Sequence, residues 1–194
     1  MSFLIAKQPI FDKEGRIVAY EVYLRKKGNT LEYPKEVPYN RSAYIILQIL
    51  TEHGIDRVGE GKKVMLNVSV DALFNRAFGN LPLGKLIFEL LKPQIQVGEV
   101  VIGQTLKSMS RFKEAGALFA SYYELLEDER YKKFIEGSFF ISVDFPHLND
   151  KRIEQLKANG KKVIVTKIET KEQYENPLNW GTFSKATIWN HHTF

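Results

Sequence analysis

Apolar and polar positions along the chain fall into short blocks whose period switches between that of a strand and that of a helix. Phe3 to Phe11 and Arg16 to Arg25 have strand character, and the polar turn Asp12-Lys13-Glu14-Gly15 between them predicts an opening β-hairpin. Gly28 to Asn40 is polar and carries Pro34 and Pro38, so it reads as a loop. Ser42 to His53 places Ala43, Ile46, Leu47 and Leu50 at helical spacing, and Gly54 supplies a stop. Beyond it, Lys63 to Val68, Leu86 to Leu91, Ala117 to Tyr123, Phe139 to Phe145, Val163 to Ile168 and Ala186 to Trp189 read as short buried strands. Helical stretches separate most of them. Gly98 to Gly116 carries a stripe of Ile102, Leu106, Met109 and Phe112, and Asp128 to Glu136 and Asp150 to Asn159 follow. Asn159-Gly160 is a helix stop, Thr170-Lys171-Glu172-Gln173 has the capping-box pattern, and Pro177 shortens the helix it begins.

Strand–helix alternation at this spacing implies parallel strands and an α/β fold. Eight strand candidates fit a modified TIM-type barrel with an N-terminal antiparallel hairpin, one strand running against the rest. A complete barrel takes about 250 residues, so a chain of 194 is expected to be a small version that lacks the last helix.

Composition narrows the class. Hydrophobic residues at 44% and charged residues at 26% fit a globular chain, read here as a single domain over 1–194. The absence of Cys excludes disulfides, thiolate metal sites and Cys nucleophiles. No apolar run approaches the roughly 18 residues that cross a bilayer. The start, Met1 to Lys7, lacks a secretory layout, so a soluble, cytoplasmic protein without membrane insertion is expected. The net charge of +5 is spread over short clusters such as Arg25-Lys26-Lys27 and Lys161-Lys162, with acidic residues between them. That pattern reads as solvated faces, and no nucleic-acid partner is expected.

In such a barrel the C-terminal strand ends carry the chemistry. Glu21, Asn67 and Glu89 each interrupt an apolar strand, and burying such groups is unfavourable unless they are paired or ligate something. Their oxygens would suit Mg²⁺, Mn²⁺ or Ca²⁺; equally, the three could face solvent at a rim or bond to neighbouring lysines. The later strands offer Asp144 alone, with Thr166 inside and Glu169 at a helix start. His53, His147, His191 and His192 form no metal signature, and phosphate-loop, Ser-His-Asp and HExxH patterns are absent.

Ala6-Lys7-Gln8-Pro9-Ile10-Phe11-Asp12 followed by Val18-Ala19-Tyr20-Glu21-Val22-Tyr23-Leu24-Arg25 resembles the start of an EAL domain, closest to the branch in which it precedes an HD-related output domain (HDOD). Leu66-Asn67-Val68-Ser69, Phe88-Glu89-Leu90-Leu91 and Lys167-Ile168-Glu169-Thr170 extend the resemblance in order, from about Phe3 to Trp189. The resemblance implies a bacterial signalling module of the type that hydrolyses cyclic di-GMP with Mg²⁺ or Mn²⁺. It implies a guanine contact at Gln8, a phosphate contact at Arg25, and metal-ligand positions at Glu21, Asn67 and Glu89.

The departures shape the expectation. The Glu-Ala-Leu signature reads Glu21-Val22-Tyr23. The family's metal-holding Asp pair falls on Ser121-Tyr122, its catalytic Lys on Ser142, a later Glu on Thr166, and the late Gln near Ala186, or on Asn179 or Asn190 with a gap. A degenerate domain with no metal, no cofactor and no phosphodiesterase activity is therefore expected. Its leading role is protein interaction or signalling, with a protein partner or a homodimer covering the face that a last helix would occupy. The second reading is a non-hydrolysing cyclic di-GMP receptor, and the third an active phosphodiesterase.

Overall fold

The computed structural model describes residues 3–28, 32–170, 172–174 and 182–186. Eight strands close into a barrel in sequence order: β1 (Phe3–Phe11), β2 (Ile17–Lys26), β3 (Lys63–Ser69), β4 (Leu86–Leu91), β5 (Leu118–Tyr122), β6 (Phe140–Asp144), β7 (Lys162–Ile168) and β8 (Phe183–Ala186). β1 runs antiparallel to both β2 and β8, and every other neighbour pair is parallel. The expected modified barrel is thus present. The expected loss of the last helix falls on residues outside the described set.

Among the described residues, helices accompany the strands: α1 (Tyr39–His53), α2 (Ile55–Val58), α3 (Glu99–Glu114), α4 (Lys132–Gly137) and α5 (Asp150–Ala158). Gly54 ends α1 with φ 81°, a backbone setting that strains L side chains, and its N–H bonds to Leu50 O. The stretch expected to be helical from Asp128 opens as a 3₁₀ turn, Glu129–Tyr131, before α4. Thr170 and Gln173 form the expected reciprocal cap: Gln173 N–H donates to Thr170 Oγ1, and Gln173 Oε1 accepts from Thr170 N–H.

Period-two alternation divides each strand between two layers. Outward residues such as Val64, Leu66, Phe88 and Phe119 pack with α1 and α3 residues, including Ile46, Leu50 and Phe112. Phe88 stacks on both Phe112 and Phe119 at centroid distances of 5.6 and 5.3 Å. Inward residues form an apolar plug of Ile10, Ala19, Met65, Ile87, Ala120, Phe140 and Ile164. The plug fills the lower half of the barrel, so the polar inward residues one step further along each strand sit at its upper end.

The last strand differs from the expectation. β8 begins at Phe183, earlier than the predicted start at Ala186, while residues 187–189 lie outside the described set. The shift puts Phe183 and Lys185 on one face and Ser184 on the other.

Candidate functional site

A cavity of about 690 Å³ opens at the C-terminal ends of the parallel strands. Glu21, Asn67 and Glu89 converge on its floor, each from an inward position two residues above the plug: Glu21 follows Ala19, Asn67 follows Met65, and Glu89 follows Ile87. Asn67 and Glu89 are paired in register on β3 and β4. Asn67 Nδ2 donates to Glu21 Oε1 at 2.7 Å. The three residues that the sequence singled out are therefore one cluster.

Lys185, which sequence reasoning passed over, completes it. Its ammonium lies 2.6 Å from Glu21 Oε2 and 3.0 Å from Glu89 Oε1, and it is 3% exposed. Burial opposes its charge, but the fields of Glu21 and Glu89 and their hydrogen bonds outweigh this and hold its pKa above the ordinary lysine value. Burial, only partly offset by Lys185 and reinforced by the charge of Glu21, raises the pKa of the Glu89 carboxyl. Of the two readings open for these carboxylates, bonding to a lysine is the one the geometry carries. The lysine comes from the far end of the chain.

Tyr23 stands above Glu21 on β2, and its hydroxyl donates to Gln8 Oε1 at 3.0 Å. Burial, then the negative charges of Glu21 and Glu89, push its pKa well above 10.0. The Arg25 guanidinium lies over the Tyr23 ring, 5.4 Å from its centroid, and donates from Nη1 to Leu24 O. The sequence-predicted ligand positions Gln8, Glu21, Arg25, Asn67 and Glu89 all border the one cavity.

A second cluster closes the opposite wall. Asp144 Oδ1 accepts from Tyr122 Oη at 2.7 Å and from Thr166 Oγ1 at 2.5 Å, and Lys167 Nζ lies 2.6 Å from Asp144 Oδ2. Burial works against the Asp144 charge, but the Lys167, Thr166 and Tyr122 hydrogen bonds prevail and hold its carboxyl below the usual value. Lys167 reaches the cavity because its backbone adopts φ 55° within an irregularity of the β7–β8 pairing. Strict alternation would put it on the opposite face from Thr166.

The positions expected to have lost the family's chemistry are distributed unevenly. Tyr122 and Thr166 border the cavity, and Ser142 lies fully buried on an inward position of β6. Ser121 points outward instead, sharing a hydrogen bond of 2.8 Å with Ser138 Oγ, which itself donates to Phe134 O below α4. Ala186 lies on β8, one residue past the side chain that enters the floor. Asn179, Asn190, His191 and His192 lie outside the described residues.

A divalent ion, implied by the resemblance, does not fit this floor. The position enclosed by the two carboxylates holds the Lys185 ammonium, Asn67 turns its NH₂ rather than its oxygen toward Glu21, and Asp144 is engaged by Lys167, Thr166 and Tyr122. No group of three or more His, Cys, Asp or Glu able to hold a metal occurs among the described residues. No helix among them is long and apolar enough to cross a membrane.

No family model matches the chain. It is 22% identical over 191 residues to the uncharacterized protein YuxH of Bacillus subtilis (strain 168), covering 93% of this chain and 45% of YuxH. It superposes on the Bacillus subtilis YkuI protein, with an EAL domain, in complex with substrate c-di-GMP and calcium, at a TM-score of 0.73 and 14% identity, covering 99% of this chain and 55% of that one. The chain thus spans about half the length of these first two relatives. It also superposes on the PaMucR phosphodiesterase in complex with c-di-GMP, at a TM-score of 0.62 and 14% identity, covering 96% of this chain and 90% of that one.

These neighbours correct one expectation. Exclusion from the enzymes rested on neutral residues at Ser121, Tyr122, Ser142 and Thr166, but the same barrel serves a named phosphodiesterase and a protein crystallised with its substrate. The physical reason lies in the mouth. Residue-by-residue transfer kept Glu21 and Glu89 but counted the Asp pair and the catalytic Lys as lost, whereas the mouth also holds the carboxylate of Asp144 and the ammonium groups of Lys167 and Lys185. The architecture that carries these residues is that of an EAL domain.

Proposed function

We propose that the barrel mouth is a binding site for a cyclic dinucleotide of the cyclic di-GMP class. The observation that carries this reading is the make-up of the mouth. Cations at its rim, from Arg25, Lys92 and Lys167, surround a floor where Asn67 Oδ1 is buried without a hydrogen-bond partner. A phosphodiester anion suits such a rim. Tyr33 and Tyr122 supply aromatic surface on the walls for a base to lie against. The cavity falls within the roughly 300–1,000 Å³ of small-molecule sites. The ligand class is that of the neighbours' complexes, which share the barrel whose strand ends form this mouth.

Calorimetry with cyclic di-GMP in EDTA tests the reading. One site per chain is expected, weakened at least about tenfold by Arg25→Ala, as for loss of a charge-assisted hydrogen bond. No heat at high micromolar protein would contradict it. Chromatography for linear dinucleotide in parallel samples with Mg²⁺ or Mn²⁺ in place of EDTA separates a receptor from a phosphodiesterase.

A further inference from the structure

Glu21, Asn67 and Glu89 meet as ligands of a hard cation would, yet the point they enclose already holds a cation. Lys185 rises from β8 with its Nζ 3.8 Å from Met65 Sδ on the plug and ends between the two carboxylates. Oxygen ligands hold Mg²⁺ at about 2.0–2.1 Å and Ca²⁺ at about 2.3–2.6 Å. An ammonium 2.6 and 3.0 Å from Glu21 Oε2 and Glu89 Oε1 occupies the place that a divalent ion bridging these two oxygens would take. Asn67 places its NH₂ on Glu21 Oε1, so it offers that carboxylate a hydrogen-bond donor.

We propose that Lys185 is a resident cation: its ammonium takes the place of a divalent metal ion between Glu21 and Glu89 and keeps such ions out of the barrel mouth. Two carboxylates and one ammonium leave a single net negative charge on the floor. Without the ammonium the floor would present two facing buried carboxylates, which a hard divalent ion neutralises. Lys185 is thus a positioning and charge-compensating residue that fixes both carboxylates toward the cavity. The inference concerns the cation alone and holds whether or not the mouth binds a nucleotide.

The test uses Mn²⁺ alone with the full chain, following free Mn²⁺ by electron paramagnetic resonance. The wild type is expected to show no one-to-one site tighter than about 1 mM, the weak end of oxygen-ligand sites. Lys185→Met is expected to acquire one site at least about tenfold tighter, by the gain in net ligand charge, and Glu89→Gln in that background to abolish it. Thermal melting gives a second readout: Mn²⁺ raises the Tm of Lys185→Met and leaves that of the wild type unchanged. Lys185→Gln, which keeps hydrogen-bonding capacity, provides a second variant. A one-to-one Mn²⁺ site in the wild type that Glu89→Gln removes would overturn the proposal, whether or not either lysine variant folds. Folded Lys185→Met and Lys185→Gln that both fail to gain the site would also overturn it.

Discussion

Glu89 Oε1 and Lys185 Nζ lie 3.0 Å apart across the interior of the barrel although 96 residues separate them in the chain. With Glu21 they form a buried ionic triad that ties β2, β4 and β8 together above the apolar plug. Removing one partner from such a group leaves uncompensated charge. Lys185→Met is therefore expected to lower stability by about 3–5 kcal/mol in urea denaturation. Replacing the whole triad, with Glu21→Leu and Glu89→Leu added, is expected to recover most of that loss, because the desolvation penalty disappears with the charges. A single variant within about 1 kcal/mol of wild type would show that the triad carries little, as exposed pairs do.

Lys167 occupies the left-handed region at φ 55° to bring its ammonium to Asp144. That conformation strains an L residue by about 1–2 kcal/mol and suits glycine. Lys167→Ala and Lys167→Gly both delete the ion pair, so their difference isolates the backbone. Lys167→Gly is expected to be the more stable by about 1 kcal/mol in equilibrium unfolding. Equal stabilities would mean that the backbone at this position relaxes once the lysine is gone.

Asp144 gives the mouth an acid-sensitive element. Its carboxyl is held below the ordinary value of 3.8 in the folded protein, so the unfolded chain binds its proton more readily. The stability it contributes is present above that ordinary value and is lost as pH falls through the lower folded value. Asp144→Asn is expected to flatten the acid limb of a plot of urea midpoint against pH, leaving the neutral region with only the loss of the Lys167 pair. An acid limb identical to wild type would contradict the assignment.

At the opposite end of the barrel, Tyr20 Oη donates to Glu60 Oε2 at 2.6 Å, and Lys7 pairs with the same carboxylate. Burial, then the Glu60 hydrogen bond and charge, push the Tyr20 phenol up to about 12. Since its folded value is raised, its contribution is complete below the ordinary value of 10.0 and declines as pH rises toward about 12. Ultraviolet difference titration of wild type against Tyr20→Phe is expected to show one phenol ionising near that value. A difference spectrum centred at 10 would remove the contact.

Most of the barrel is legible in the amino-acid sequence because its strands are short apolar blocks parted by turns and helices. Glu21, Asn67 and Glu89 stood out for the same reason, as polar residues interrupting apolar blocks. Lys185 did not, because the last strand was expected at Ala186 to Trp189. Reading Phe183-Ser184-Lys185 as extended would have placed Phe183 and Lys185 on one face and exposed the lysine as inward. Lys167 was hidden by a different effect: alternation assumes extended backbone, and one left-handed residue reverses the side it predicts. Parity also explains Ser121 and Tyr122, which position-by-position transfer treated as a pair. Adjacent strand residues face opposite ways, and only Tyr122 reaches the cavity.

The central claim is that the mouth above the Glu21–Lys185–Glu89 triad receives a cyclic dinucleotide. Amide proton–nitrogen NMR spectra recorded during a cyclic di-GMP titration test it most directly, because Gln8 and Asn67 carry side-chain NH₂ groups that report from the cavity itself. Saturable shifts are expected for both side-chain signals and for backbone signals around Arg25 and Lys167, with the signals of Tyr20 and Glu60 at the far end unmoved. Spectra unchanged at saturating nucleotide, or shifts confined to surfaces away from these residues, would contradict it.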